Sequence, residues 1–205
     1  MRRIVFTIIA SIYCSSIVLG QDSVFTGYAT SIIDADYTEI KTNGFRDKSM
    51  TIKYDSLTIQ SVGSVSKVII GLALMKAYEL GFVNLDTDIN EYLNFKVLNP
   101  NLKNNQQITL RHLATHTSGI KDNEKFYIQA YTKGLKSPLS LEEFLLSYLD
   151  KNGKRFSTRN FGNYPAGDEY NYSNIGAALA AYVIECTSKI PLTNLRRDIY
   201  FSLLI

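Results

Sequence analysis

Ser64 and Lys67 stand three residues apart in Gly63-Ser64-Val65-Ser66-Lys67, directly before a long apolar run. On a helix that spacing puts a hydroxyl and an amine on one face. At the amino end of a helix the hydroxyl also feels the positive end of the dipole and free backbone N–H groups, which favour developing negative charge. An amine partly withdrawn from water can shed its proton and act as a base. The pair therefore has the makings of an activated nucleophile. Tyr172-Ser173-Asn174 is the second constellation. A phenol beside a lysine ammonium ionises below its ordinary pKa of about 10, and could take the proton from Ser64 and return it to a leaving group. Asn174 offers an amide that can fix Lys67 or a substrate carbonyl.

Each pattern has an ordinary reading beside it. Ser-x-x-Lys arises roughly once by chance in a chain of this length. Ser118 to Lys121 is a second copy, but Gly119 follows its serine and no apolar helix comes after. Tyr92-Leu93-Asn94 repeats the Tyr-x-Asn pattern, and Tyr92 reads as a core aromatic closing a short helix. His116 invites a Ser-His-Asp triad, yet a triad needs a base touching the nucleophile, and nothing else in the chain supports one. His112 has less to recommend it still.

The elements that must carry these residues follow from pattern. Leu57, Ile59 and Val62 alternate with polar residues and read as a strand leading into Ser64. Residues 68–80 are apolar almost all round, broken only by Gly71, Lys76 and Glu79, which predicts a helix buried on most sides and stopped by Gly81. Residues 24–33 and 37–45 read as an antiparallel hairpin turning at Asp34-Ala35-Asp36, with Asn43-Gly44 a bulge or turn at its far end. A short segment runs from Asp86 to Leu93, and 94–107 is loop-like. Thr109 can cap a short helix through Leu110, Leu113 and Ala114. Ser140 with Glu143 makes a capping box ahead of Phe144, Leu145, Tyr148 and Leu149 at helical spacing. Pro165-Ala166-Gly167 marks a turn before an apolar helix over 175–185. Strands first and helices after make the class α+β.

Residues 1–20 carry Arg2 and Arg3, then a mostly apolar run and a Val-Leu-Gly exit. That describes a secretory signal peptide cut after Gly20, with residues 21–205 as the exported domain, periplasmic or extracellular. The run is shorter than the roughly 20 residues a spanning helix needs, so no stable membrane anchor is expected. Without the two arginines the 22 basic residues fall to 20 against 19 acidic ones. A near-neutral balance gives no reason to expect a nucleic-acid partner. Cys186 stays alone once Cys14 leaves with the leader, and reads as a small core residue. Lys151 to Arg155 reads as a solvated basic loop. Two histidines and one cysteine are too few for a structural zinc site, and no cofactor is expected.

Taken in order, these blocks resemble the class C β-lactamase-related serine hydrolases, a family that includes penicillin-binding-protein-like enzymes. Ser64-Val65-Ser66-Lys67 and Leu80-Gly81-Phe82-Val83-Asn84-Leu85-Asp86 look like the family's nucleophile helix and the segment after it. Ile108-Thr109-Leu110-Arg111-His112-Leu113-Ala114-Thr115-His116-Thr117-Ser118-Gly119-Ile120 is similar to its His-Thr-Ser-Gly stretch. Pro165-Ala166-Gly167 and Tyr172-Ser173-Asn174-Ile175-Gly176 are similar to its Pro-Gly and Tyr-Ser-Asn stretches. The resemblance implies an antiparallel sheet flanked by helices plus a helical subdomain. It also implies Ser64 as acylated nucleophile, Lys67 and Tyr172 as the proton-handling pair, and Asn174 as a substrate-side polar contact. Between Lys67 and Tyr172 the base stays open. For the His116 stretch it implies a structural turn near the site. The resemblance implies an amide or ester substrate and leaves β-lactam, peptide and simple ester open.

The family continues to a Lys/His-x-Gly motif on a strand beside the serine, which supplies substrate contacts and one oxyanion donor. No such motif follows Tyr172, and Asp198 to Ile205 stands where relatives show Phe-x-Pro-Leu-Gly. The expectation is the front part of a larger enzyme, with the C-terminal strands missing. Losing one oxyanion donor typically costs roughly 10²–10³ in rate. The alternative to a working hydrolase is therefore a weak or inactive remnant, or a non-catalytic secreted binding module.

Overall fold

The computed structural model describes residues 26–104, 106–130 and 137–190. The leader expected over 1–20 and the segment 198–205 lie outside the described residues. Two compact units divide the chain, one up to Ser61 and one from Val62 onward.

In the first unit, β1 (Gly27–Asp34) pairs antiparallel with β2 (Tyr37–Gly44) in a register that sets Asp34 opposite Tyr37 and Gly27 opposite Gly44. The Asp34 carboxylate accepts from the Ala35 N–H at 2.7 Å and tightens the two-residue connection. Gly44, at φ 77, takes the left-handed conformation that lets Phe45 N donate back to Thr26 O. Ile32, Ile33, Tyr37 and Ile40 remain exposed, so this two-stranded sheet has little of the burial that stabilises larger ones.

The strand expected over residues 57–62 does not form. Asp55 turns the chain instead: its carboxylate accepts from Leu57 N at 3.1 Å and Thr58 Oγ1 at 2.8 Å. Leu57 and Ile59 are 86% and 97% exposed. Alternation makes a segment competent for a sheet, but a strand also needs a neighbour to complete its ladder.

The second unit is helical. A 3-10 turn, Gly63–Val65, runs straight into α1 (Ser66–Glu79). Then come α2 (Leu110–Ala114), α3 (Glu124–Tyr127), α4 (Leu141–Leu149) and α5 (Asn174–Ser188). The local caps are those the sequence predicts. Thr109 Oγ1 accepts from His112 N while His112 Nδ1 accepts from Thr109 N. Ser140 and Glu143 make the same reciprocal exchange at the start of α4. At the core is α5, whose residues from Ile175 to Ile184 are buried except for Ala178. It packs against α1, α2 and α4, with Leu74, Leu113, Leu145 and Leu149 around it.

One expectation about α1 needs correction. Ile70, Ala73, Leu74 and Ala77 form a single helical stripe into the core. Val68, Leu72, Met75 and Tyr78, on other faces, are exposed. An all-round apolar helix can be buried on most sides, but how far it is depends on how many elements are there to cover it. Tyr92 does pack against the core, and its hydroxyl accepts from Asn84 N at 3.0 Å. The basic loop is not wholly solvated either: Arg155 is half-buried and donates to Ser147 Oγ at 3.1 Å. Cys186 is half-buried against the core with a free thiol, and burial raises its pKa. Among the described residues no helix is long and apolar enough to cross a membrane.

Candidate active site

Four residues predicted from sequence meet at the amino ends of α1 and α5. Ser64 sits in the 3-10 turn and Lys67 one turn on, so their spacing alone brings Nζ to Oγ, at 3.2 Å. Tyr172 arrives from 108 residues away and its hydroxyl donates to Ser64 Oγ at 2.8 Å. Asn174 opens α5 and accepts from Lys67 Nζ through Oδ1 at 2.6 Å. The Lys67 ammonium also lies 4.9 Å from the centre of the Tyr172 ring. Ser64 Oγ thus lies between two groups able to move a proton.

The electrostatics favour that use. The Lys67 ammonium, and then the Ser64 hydroxyl, hold the Tyr172 phenol below its ordinary value, against slight burial and the Asp122 charge. Ser64 itself is exposed, at the mouth of a cavity of about 560 Å³.

His116 explains why Tyr172 is held where it is. Its carbonyl accepts from Asn171 N at 2.8 Å and its Nδ1 from Ser173 N at 3.2 Å, one residue to either side of the tyrosine. The imidazole lies 4.6 Å from the Tyr172 ring, centre to centre. Because Nδ1 must accept, the ring is neutral in this arrangement. Burial, and then the Lys67 charge, lower its pKa. His116 is a positioning residue, and its ring nitrogen serves the backbone rather than the nucleophile. His112 likewise spends Nδ1 on the α2 cap. Ser118, the second Ser-x-x-Lys serine, is buried and accepts from Ile120 N at 3.3 Å.

Asp122 is the residue that sequence reasoning missed. Its Oδ1 accepts from Ser173 Oγ at 3.1 Å and Ile175 N at 3.0 Å, and its Oδ2 from Asn174 N at 2.9 Å and Asn174 Nδ2 at 2.7 Å. The carboxylate caps α5 from outside the helix, where the dipole favours a negative charge. By taking Nδ2 it also leaves Asn174 Oδ1 to face Lys67. Asp122 is anchored in turn: Tyr148 Oη donates to Lys121 O at 2.8 Å and accepts from Asn123 N at 2.6 Å. Burial pushes the Tyr148 phenol up to about 12, which keeps it a donor. Buried Asn160 secures the same segment, accepting from Lys121 N and Asn123 Nδ2 at 2.8 Å each. No spacing rule ties Asp122 to a helix 52 residues away.

A sequence model of the Beta-lactamase family matches residues 16–201. The chain belongs to this family. Its fold and neighbours are those of β-lactamase-like serine hydrolases. The putative penicillin-binding protein PbpX of Bacillus subtilis (strain 168) is 33% identical over 96 residues, 47% of this chain and 23% of that protein. The octameric penicillin-binding protein homologue from Pyrococcus abyssi superposes with a TM-score of 0.69 at 25% identity, over 92% of this chain and 41% of its own. EstCE1, a hydrolase with promiscuous acyltransferase activity, gives 0.67 at 22% identity, over 93% and 51%. The chain therefore spans about half or less of the relatives it matches. The α+β, transpeptidase-like class expected from sequence agrees with these neighbours. Among the described residues no three His, Cys, Asp or Glu side chains gather as a metal site.

Proposed function

We propose that this chain carries the nucleophile half of a serine hydrolase that cleaves an amide or ester through an acyl-enzyme on Ser64. The observation that carries this reading is Ser64 Oγ accepting from both Tyr172 and Lys67, at 2.8 and 3.2 Å. In the reactive form Tyr172 is the phenolate, or Lys67 the amine. Ser64 Oγ adds to the carbonyl carbon as its proton passes to that base. Collapse breaks the C–N or C–O bond, and the leaving atom takes the same proton. Water then adds to the ester on Ser64, releasing the acid and restoring the hydroxyl. The amino end of α1 faces the charge that forms.

A fluorophosphonate probe tests the reading by mass spectrometry of the labelled peptide. Attachment at Ser64, lost in Ser64→Ala, is expected; labelling elsewhere or none sinks it. A second reading, binding without turnover, is favoured by the exposure of Ser64 and Tyr172. Labelling of Ser64 without steady turnover of a small ester or β-lactam would select it. The leader expected over 1–20 makes the protein an exported one, and amino-terminal sequencing of secreted material beginning at Gln21 is the check.

A further inference from the structure

A second cavity, of about 600 Å³, lies where Asn101 and Lys121 meet the run from Thr158 to Tyr164. The Ile120–Phe161 bridge, and Lys121 N donating to Asn160 O at 2.8 Å, lay one stretch of chain against the other. In extended backbone successive side chains point to opposite sides. Ile120 enters the core and Asp122 reaches α5, so Lys121 between them faces the cavity. Arg159 joins it from the 3-10 turn Thr158–Asn160. Tyr164 closes one wall: a Cβ on Gly162 would stand 2.5 Å from its ring, so only glycine leaves the ring its place.

The cavity is rich in donors and poor in acceptors. Asn101 Nδ2 already covers the carbonyls of Thr158, Phe161 and Gly162, at 3.0, 3.1 and 3.3 Å. Among the described residues no carboxylate lines the space. Asp122, next to Lys121 in sequence, has both carboxylate oxygens committed to the start of α5. Glu169, whose charge helps raise the Tyr164 phenol, is not part of the lining. Among the described residues neither the Lys121 ammonium nor the Arg159 guanidinium has an ion-pair partner. Two cations that line one cavity repel each other, and an anion placed between them removes that repulsion.

We propose that this cavity binds an oxyanion, a phosphoryl or carboxylate group carried on a small hydroxylated molecule. The guanidinium offers a planar fork that fits either group, and the ammonium adds a point charge. Thr158 and Asn163 bring a hydroxyl and an amide for the polar body of the ligand. A space of this size suits a small molecule rather than a bare ion. Binding here is independent of whether Ser64 reacts.

Three hexose probes with one common body test the proposal on the full chain: glucose 6-phosphate, glucuronate and glucose, each titrated while backbone amide signals are followed by NMR. At least one of the two anions is expected to shift the amides of 119–122 and 158–164 saturably in the millimolar range, and the tighter of them names the group as phosphoryl or carboxylate. Glucose should leave those signals in place. Lys121→Gln and Arg159→Gln should each weaken the anion roughly 5- to 10-fold, the worth of one charged hydrogen-bond donor at a partly exposed site. Circular dichroism checks that both variants fold, and the three-probe series on the unaltered chain decides if either does not. Equal binding of glucose would overturn the proposal, as would the absence of saturable shifts with both anions. Shifts centred on 64–67 and 172–174 and unchanged in Arg159→Gln would place the anion on Lys67 instead and overturn it equally.

Discussion

Asp122→Ala removes the acceptor for four donors at one stroke, two of them backbone N–H groups at the start of α5. Ser173, 1% exposed, is left with a hydroxyl proton that water cannot readily reach. Hydrogen bonds to a charged group are each worth about 1.5–3 kcal/mol net, but four on one carboxylate do not add, and Asp122 is only half-buried. Ser173 Oγ still accepts from Gly176 N at 2.8 Å and keeps part of the cap. A net loss of about 3 kcal/mol is the reasonable sum, with the dipole contributing less than about 1 kcal/mol of it. With urea m-values of roughly 1–3 kcal/mol/M, the midpoint of helix loss followed by circular dichroism should fall by about 1–3 M. Asp122→Asn keeps the shape but turns an NH2 toward N–H donors, so it should cost nearly as much. It should also slow Ser64 labelling, because the Asn174 amide is then free to turn its Oδ1 away from Lys67. A change below about 0.5 kcal/mol, the size of an ordinary surface substitution, would refute the reasoning.

Tyr172→Phe should lower the rate of Ser64 labelling about 10²-fold or more, the usual worth of a positioned acid–base group, while leaving the helix content unchanged. In the unaltered chain the labelling rate should rise with pH through a value below the ordinary phenol value of 10.0, and Lys67→Met should move that rise upward, since Lys67 is the larger cause of the lowering. His116 has its pKa lowered by folding, so the unfolded chain binds the proton more readily. The stability it contributes is complete above the ordinary value of 6.5 and is lost as pH falls toward the lowered one. Titrating the imidazole signals by NMR should give a midpoint under 6.5 for His116, and a midpoint at or above it would contradict the neutral acceptor role. Ser118→Ala should leave labelling unchanged, because that serine is buried away from the probe; any loss would mean the wrong Ser-x-x-Lys has been chosen.

What could be read from the sequence was what short-range geometry decides. Ser64 and Lys67 meet because one helical turn joins them. Thr109 and Ser140 cap helices whose first N–H groups are two or three residues away, and the β1–β2 turn falls where Asp34-Ala35-Asp36 places it. Tyr172 and Asn174 can be named from the chemistry of their side chains and from resemblance to a family; their own spacing says nothing of a partner 108 residues distant. The strand expected at 57–62 and the burial expected around α1 failed for one reason. Both depend on what else is present to pair with or cover a segment, and periodicity does not encode that. Asp122 and Tyr148 show the same limit from the other side. An aspartate and a tyrosine are unremarkable in the chain, and only packing decides that one carboxylate caps a distant helix and one buried hydroxyl holds the segment that carries it; the His116 stretch could be placed as a turn near the site, but not its grip on the backbone on both sides of the phenol. Chemistry of that kind depends on closing long loops, and loop closure is a property of the folded chain rather than of any window along it.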